Sequence, residues 1–442
     1  MTSADTAVQP AAVPHDPLLA WRYRDFRLVA ISRFAASLGE MMVSVAIGWE
    51  IYERSGSAFA LGLVGLVQVL PIFLLSLPAG HIADRYNRKR LVLVSQAGLA
   101  LVSLGLALVS FTHPIAGTTA SYAAILQPLT LPIYAVVGNS LLPFYLLLFL
   151  FGVMRAFNDP ASSTLLAQSV PPEVFGNAAT WGSSAWQLAS VLGPAFGGLM
   201  VAHFKSGAEV YLFNAVFNGI FVGLVALMRL RPIAQSDEPA SLKSALAGFQ
   251  FLRKSRVLLA AITLDLFAVL FGGATALLPV FAKDILHVGP EGLGWMRTAP
   301  SIGALLMVVT LAYLPPFKRA GKTLLLAVAG FGIATIIFGL SRSFVLSMLM
   351  LITLGALDNI SVVVRSTLLL TRTPDEMRGR VAAVNTVFIS GSNEMGAFES
   401  GVTAALFGPI GAVIFGGIGT LVVVGTVAWF WPEMRALGKL VE

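Results

Sequence analysis

The chain has 442 residues, of which 57% are hydrophobic and only 12% are charged. Because a soluble domain carries roughly 25% charged residues, this composition excludes an ordinary soluble globular protein. The chain contains no cysteine, which excludes disulfides and thiol chemistry and leaves the redox compartment undetermined.

Apolar runs of about 20 residues recur along the chain, and each can cross the ~30 Å hydrocarbon core of a membrane as a helix. The alternating pattern of a membrane β-barrel is absent, so helices must satisfy the backbone within lipid. We therefore predict an all-α membrane protein with twelve transmembrane helices. Their expected ranges are 28–52, 59–80, 90–111, 143–168, 175–202, 209–229, 257–282, 292–314, 322–340, 344–370, 379–406 and 410–431.

Lysine and arginine fall mostly on one side of this arrangement. With both termini in the cytoplasm, the cytoplasmic segments hold 21 of the 29 basic residues and the opposite loops hold four. By the positive-inside rule, this predicts that both termini are cytoplasmic. The same rule accounts for the net charge of +7, so the expected partner is the lipid bilayer rather than a nucleic acid. We expect a monomer to be functional.

A polar break at 230–256 divides the helices six and six. It begins with Pro232 and Pro239 and then becomes amphipathic toward Leu252, which predicts a flexible link followed by a short helix on the inner membrane face. The expected organisation is a cytoplasmic tail (1–27), a six-helix bundle (28–229), the linker (230–256), a second six-helix bundle (257–432) and a second tail (433–442).

The two halves of the chain resemble each other. A shift of 203 residues places Gly198 on Gly401, and earlier in the chain a shift of 232 places Gly62 on Gly294. The two shifts differ because the first half has an insertion in the loop 112–142. A repeat of six helices predicts two pseudo-symmetric bundles.

A short polar loop joins the second and third predicted helices. Its pattern, G-x-x-x-D-R-x-x-R-K-R, resembles the loop between helices 2 and 3 in the major facilitator superfamily of secondary transporters. The motif residues here are Gly80, Asp84, Arg85, Arg88 and Arg90. The resemblance implies that Asp84 and Arg88 latch the cytoplasmic ends of the bundles when the carrier faces outward. Asn87 replaces the family's usual glycine, and we expect it to take the left-handed conformation that asparagine tolerates.

Helix 5 carries a second motif, G-P-x-x-G-G, formed by Gly193, Pro194, Gly197 and Gly198. It resembles the antiporter motif of the same superfamily, which is enriched in exporters; plain close packing of helices is the alternative. The loop at 80–90, together with segments 26–34, 241–252 and 373–380, is similar to the enterobactin-exporter group of bacterial carriers. The resemblance implies the major facilitator fold, a location in the bacterial cytoplasmic (inner) membrane, and export of a small-molecule substrate.

Charged residues inside membrane helices are functional candidates, because each costs roughly 2.5–3.5 kcal/mol at a helix centre on insertion scales. The candidates for proton coupling or for a substrate cavity are Arg33, Glu40, Arg155, Asp159, Asp265, Asp358, Arg365, Glu394 and Glu399. Glu40 lies at the centre of helix 1 without a basic residue one turn away, so it is the first candidate to exchange a proton. Glu394 and Glu399 are the alternatives.

These charges allow two kinds of pairing. Arg155 and Asp159 are four residues apart and can pair on one face of their helix. The repeat, however, places Arg155 on Asp358 and Arg33 on Asp265. Such opposite charges can face each other across the pseudo-axis and form bridges that break in the other conformation.

The function expected from these features is export of a small amphipathic molecule, such as a siderophore or a drug, by alternating access. Proton antiport is the expected energy source, without a cofactor. An importer or a lysophospholipid translocator of the same fold is an alternative, and a membrane scaffold or receptor is one of another class. The costly buried charges argue against a scaffold. The sequence has no phosphate loop, metal-ligand cluster or nucleophile–base set, so an enzyme is not expected.

Overall fold

A computed structural model describes residues 16–112, 140–229, 242–315 and 317–438, and within these ranges the chain is helical, without strands. Eleven helical stretches in the described part are long and apolar enough to cross a membrane. The last of them has 54 residues and is interrupted at Gly408, so it supplies two spans. The predicted all-α architecture with twelve transmembrane helices is confirmed.

The helices of the first half are α1 (Arg24–Ser55), α2 (Ala58–Arg85), α3 (Arg88–Phe111), α4 (Leu142–Gln168), α5 (Phe175–Phe204) and α6 (Ala208–Ala226). A short linker helix follows as α7 (Leu242–Lys254). The second half contains α8 (Arg256–Phe271), α9 (Gly289–Tyr313), α10 (Ala320–Leu340), α11 (Phe344–Arg372), α12 (Asp375–Phe430) and α13 (Pro432–Ala436). Short 3₁₀, α and π turns continue the path of α8 as far as Ile285.

The break within α12 has a local cause. Gly408 has φ 75° and ψ 162°, a conformation that glycine adopts readily because it has no Cβ. Pro409 follows and lacks the N–H that would continue the helical hydrogen bonds. The two predicted helices 379–406 and 410–431 therefore meet at a sharp change of direction.

At both ends, the described residues extend beyond the predicted bundles. A 3₁₀ turn at Leu19–Arg22 precedes α1, and the backbone N–H of Ala20 donates to Asn177 Oδ1 at 3.0 Å. At the other end, α13 lies in the segment predicted to be a tail, and the N–H of Ala320 donates to the carbonyl of Gly438 at 3.0 Å. Hydrogen bonds thus attach parts of both predicted tails to the bundles.

The amphipathic helix predicted in the linker is α7. Leu252 on this helix is buried, and the ring of Phe249 stacks on Phe388 of α12 with centroids 6.4 Å apart. The flexible link predicted before it (230–241) and most of the loop insertion (113–139) lie outside the described residues.

Helices α1–α6 pack as one bundle and α8–α12 as a second, and the main contacts between the bundles are α2 against α12 and α5 against α9. We call the end that carries Arg88, Lys89 and Arg90 the basic end. The opposite end, which carries Glu53 and Lys283, is the far end.

Each contact between the bundles contains a crossing of two glycines near the far end. A Cβ added to Gly62 of α2 would lie 2.9 Å from the Cα of Gly401 on α12. A Cβ added to Gly198 of α5 would lie 2.7 Å from the Cα of Gly294 on α9. Because the repeat relates Gly62 to Gly294 and Gly198 to Gly401, the two crossings are copies of one contact, and the predicted pseudo-symmetry is confirmed.

Candidate functional site

Polar contacts join the two bundles at the far end. Lys283 Nζ lies 2.8 Å from Glu53 Oε2, and the hydroxyl of Tyr52 donates to the carboxylate of Asp284. Lys283 Nζ also lies 5.7 Å from the centre of the Tyr52 ring, within the range of a cation–π interaction. These four residues, which we call the far-end latch, hold that end closed together with the glycine crossings.

A cavity of about 320 Å³ lies between the bundles below this closure. Its size is at the lower end of the range for small-molecule sites, which combine apolar walls with a few convergent polar groups. The apolar wall includes Ile47, Leu61, Val64 and Phe151. The charged groups are Glu40 and Arg155 from the first bundle and Arg297 and Glu394 from the second.

Glu40 and Arg155, which both line this cavity, form an ion pair. Arg155 Nη1 lies 3.3 Å from Glu40 Oε1, and the two side chains are 30% and 38% exposed. The prediction that Glu40 is isolated is wrong, because its basic partner comes from α4 rather than from its own helix. Asp159, one turn from Arg155, is exposed and attracts it electrostatically.

A second ion pair, between Asp265 and Arg365, joins α8 to α11 and is buried. In the first half, Arg33 on α1 and Asp159 on α4 attract each other. The repeat places Arg33 on Asp265. The first and fourth helices of each half therefore carry opposite charges, and the cation and the acid have exchanged helices between the halves.

In this conformation neither ion pair joins the two bundles: Glu40–Arg155 lies in the first bundle and Asp265–Arg365 in the second. The arginine that the repeat aligns with Asp358 pairs with Glu40, and Asp265 pairs with Arg365 rather than with Arg33. Asp358 is exposed and borders a small pocket beside Asp265. Bridges across the pseudo-axis are thus a hypothesis for another conformation.

The two alternative carboxylates occupy different surroundings. Glu394 lines the cavity at the α2–α12 contact, where a Cβ on Gly65 would lie 3.4 Å from Glu394 Oε2. It lies in the electrostatic field of Arg155 and Arg297. Glu399 accepts a hydrogen bond from the hydroxyl of Thr403, one turn along its own helix, at 2.7 Å. Glu394 is therefore the alternative that the cavity includes.

The glycines of the G-P-x-x-G-G motif lie where α5 meets two other helices. A Cβ on Gly197 would lie 2.8 Å from the carbonyl oxygen of Met42 on α1, and Gly193 approaches α1 at Met41. Gly198 approaches α9 instead, and the carbonyl of Pro194 lies 2.7 Å from the position of a Cβ on Gly294. Close packing accounts for all these contacts, and the exporter interpretation of the motif stays a prediction.

The turn at the basic end has a different geometry from the one expected. Asn87 has φ −61°, so the expected left-handed conformation is wrong. Its side chain instead caps α3, because Oδ1 accepts a hydrogen bond from the N–H of Arg90 at 3.2 Å. Lys89 Nζ donates to the carbonyls of Ala226 at 2.9 Å and Met228 at 2.8 Å, which ties the turn to the end of α6.

The remaining motif residues give less information. Gly80 lies inside α2, which ends at Arg85. The side chains of Asp84 and Arg85 lie outside the described part of the structure. Latching of the bundles by Asp84 and Arg88 therefore stays a prediction.

Two charged residues that the structure places at key positions are missing from the sequence-based candidates. Arg297 projects into the cavity, and Glu50 is buried at the far end of the first bundle. Each is a charged residue in an apolar helical run, so the cost of burying charge in lipid was a usable signal for both. Within the described residues, no cluster of histidine, aspartate or glutamate could hold a metal ion.

Replacing Arg155 by alanine is expected to lower the unfolding free energy by about 1–3 kcal/mol, because Glu40 loses its partner in a partly solvated cavity. Adding Glu40→Gln should recover much of this loss, whereas adding Asp358→Asn should not. Equilibrium unfolding in mixed micelles measures both effects, with Arg256→Ala as the control, since the Arg256–Glu433 pair is exposed and exposed pairs add little stability. Rescue by Asp358→Asn alone would contradict the pairing.

Known proteins with a similar sequence include enterobactin exporters. The chain is 26% identical to the enterobactin exporter EntS of Escherichia coli O1:K1 / APEC over 404 residues, which cover 90% of this chain and 89% of that protein. It is 27% identical to enterobactin exporter EntS of Shigella flexneri over 400 residues, with the same coverage.

Solved structures with low sequence identity share the fold. A POT family transporter in complex with 5-aminolevulinic acid superposes with a TM-score of 0.71 at 11% identity, covering 93% of this chain and 97% of that one. A bacterial homolog of the human lysosomal transporter Spinster, in an inward-facing and occupied conformation, gives 0.69 at 13% identity, covering 93% and 98%. The model of the Major Facilitator Superfamily matches residues 29–397. The chain is a membrane transporter that belongs to the major facilitator superfamily.

Proposed function

We propose that the protein exports a small amphipathic molecule from the cytoplasm across the bacterial inner membrane by proton antiport and alternating access. The observation that carries the proposal is the central cavity, whose apolar walls surround two carboxylates and two arginines. A closed far end above such a cavity is one of the two states that alternating access requires. Because a single chain forms the whole cavity, a monomer suffices.

The direction of transport rests on charge and on similarity. The basic end carries most of the lysine and arginine, which favours a cytoplasmic position for that end and for both termini. With the far end closed, the cavity would then belong to the state that accepts its substrate from the cytoplasm. The similarity to enterobactin exporters supports export, with a siderophore or a drug as the substrate.

Proton coupling would use the carboxylates that face the cavity. Glu394 lies at the contact between the bundles and in the field of arginines from both of them. Glu40 forms an ion pair with Arg155, which Glu394 also attracts. A proton on either carboxylate weakens its attraction to these arginines, which changes the balance of forces between the bundles. The proton gradient can act through that balance without a cofactor.

The test uses everted membrane vesicles, whose lumen corresponds to the outside of the cell. With an acidic lumen, we expect uptake of enterobactin or of ethidium as a drug-class probe, and we expect nigericin to abolish it by collapsing the pH gradient. Glu394→Gln should lose about tenfold or more of this gradient-driven uptake, as is typical of removing a proton-transfer group. Glu399→Gln is the matched control on the same helix, because its carboxylate is hydrogen-bonded locally.

Two results would contradict the proposal. Transport that is unaffected by nigericin would exclude proton antiport as the mechanism. Uptake only into right-side-out vesicles would indicate an importer. If Glu399→Gln, and not Glu394→Gln, lost the gradient dependence, the assignment of the coupling carboxylate would be wrong.

A further inference from the structure

The guanidinium of Arg297 lacks a strong partner in the cavity. Its Nε is buried without a hydrogen-bond acceptor among the described residues. Among the described residues, its Nη1 donates only to Ser44 Oγ, at 3.5 Å, which is long for a hydrogen bond. A guanidinium has five N–H donors, and most of those on Arg297 remain available.

The position of Arg297 is fixed by its surroundings. The hydroxyl of the next residue, Thr298, donates to the carbonyl of Val191 on α5 at 3.0 Å. On the other side, Gly48 of α1 leaves the space that the guanidinium occupies, since a Cβ there would lie 3.3 Å from Nη2. The donors are therefore held in place between the two bundles before any substrate arrives, which lowers the ordering cost of binding.

The other charges of the cavity do not neutralise Arg297 by contact. Arg155 and Glu40 already form an ion pair. Glu394 attracts Arg297, but the part of the chain that the structure describes shows no ion pair within 4.0 Å for either residue. The cavity thus presents one cation whose hydrogen-bonding capacity is largely unused.

The repeat shows that this charge belongs to the second half alone. A shift of 232 residues places Arg297 on Gly65, and a shift of 203 places Glu394 on Val191. The two related contacts between the bundles therefore each carry one charge from the second bundle, positive at α5–α9 and negative at α2–α12. Packing of two symmetric contacts does not explain why one carries a positive and the other a negative charge. Recognition of a substrate with chemically distinct ends does explain it.

From these observations we infer that Arg297 is the anion-recognising residue of the cavity and that the substrate presents a carboxylate or a comparable oxyanion to it. This inference rests on the proposed function, because it names the class of molecule that the same cavity binds. A planar carboxylate accepts two parallel N–H bonds from a guanidinium. The apolar wall formed by Ile47, Leu61, Val64 and Phe151 would cover the rest of an amphipathic acid.

The test is direct binding to the purified, detergent-solubilised protein, so it does not depend on transport. The probes are salicylate and its neutral amide, salicylamide, which differ in charge but hardly in size. A charge-assisted hydrogen bond predicts about tenfold or tighter binding of the acid. Arg297→Gln should remove this preference, because it weakens binding of the acid much more than binding of the amide. Arg297→Lys retains the positive charge and should keep part of the preference.

Three results would overturn the inference: equal affinity for the acid and the amide, binding of neither probe, or a preference for the acid that survives Arg297→Gln. Unfolding midpoints of the variants identify any that are misfolded, and Arg297→Lys provides the readout if Arg297→Gln is not folded. Gradient-driven export of ethidium together with a failed acid preference would leave the proposed exporter standing and remove only the anion site. An absence of gradient-driven transport, together with an intact preference for the acid, would remove the proposed exporter and leave the anion site standing.

Discussion

Replacing Glu50 by alanine is expected to lower the free energy of unfolding by about 3–5 kcal/mol, because it removes the buried carboxylate that pairs with the guanidinium of Arg54 and accepts a hydrogen bond from Tyr211. The Glu50 side chain is 1% exposed and pairs with Arg54, which is 14% exposed. Arg54 Nε donates to Glu50 Oε1 at 3.1 Å, and the hydroxyl of Tyr211 donates to Glu50 Oε2 at 2.9 Å. The group thus ties α1 to α6.

Arg54 extends the same network to α3 and α4. Its guanidinium donates to the carbonyl of Ser110 at 3.3 Å in the last turn of α3, where a positive charge is favourable, and it lies 4.7 Å from the centre of the Phe144 ring. Equilibrium unfolding in mixed micelles tests the prediction. Glu433→Ala, which breaks an exposed pair with Arg256, is the control and should cost much less, because exposed ion pairs add little stability. Equal losses in Glu50→Ala and Glu433→Ala would show that the network adds little stability.

The sequence did not identify this network, because Glu50 and Arg54 fall close to the end of the first helix. The first helix is predicted to end at residue 52, which leaves Arg54 in the following loop, where a charged residue is expected to be solvated. In the structure α1 continues to Ser55, which brings Arg54 inside the bundle. A spacing of four residues between an acid and a base on a helix was the available signal.

The helices themselves could be predicted from the sequence, because a membrane span needs an apolar run of nearly fixed length. The predicted range 143–168 differs from α4 by one residue, and the turn between 406 and 410 coincides with the break at Gly408. The positions of single charges within helices could be predicted for the same reason, since each is conspicuous in an apolar segment.

The partners of these charges could not be predicted, because pairing depends on the rotation and depth of neighbouring helices. Glu40 has no basic residue nearby in sequence, yet α4 brings Arg155 to it. The repeat suggested which charges are equivalent by position, but equivalent residues such as Arg155 and Asp358 need not touch in a given conformation.

Replacing Gly198 by leucine is expected to prevent closure of the far end. A Cβ at this position would lie 2.6 Å from the carbonyl oxygen of Pro290 and 2.7 Å from the Cα of Gly294. Both are backbone atoms, so only separation of α5 from α9 can relieve the contact. Overpacking costs about 1–3 kcal/mol, which is enough to shift a closed-to-open equilibrium by about tenfold.

The far-end latch provides the readout. In this cysteine-free chain, the double substitution Glu53→Cys and Lys283→Cys should be joined efficiently by a short bifunctional thiol reagent, and Gly198→Leu should reduce the yield about tenfold. Gly219→Leu on α6 is the matched control, because a Cβ there meets no atom within 4 Å. An undiminished yield in Gly198→Leu would show that α5–α9 packing does not govern closure.

Gly401→Leu extends the test to the repeat-related crossing. Gly401 meets Gly62 backbone to backbone, just as Gly198 meets Gly294, so the same loss of cross-linking is expected. If both variants fail to close, the two crossings act together, since rigid bundles cannot separate at one contact while remaining closed at the other. If only one fails, the bundles bend during closure, and the Arg297 side and the Glu394 side of the cavity can open independently.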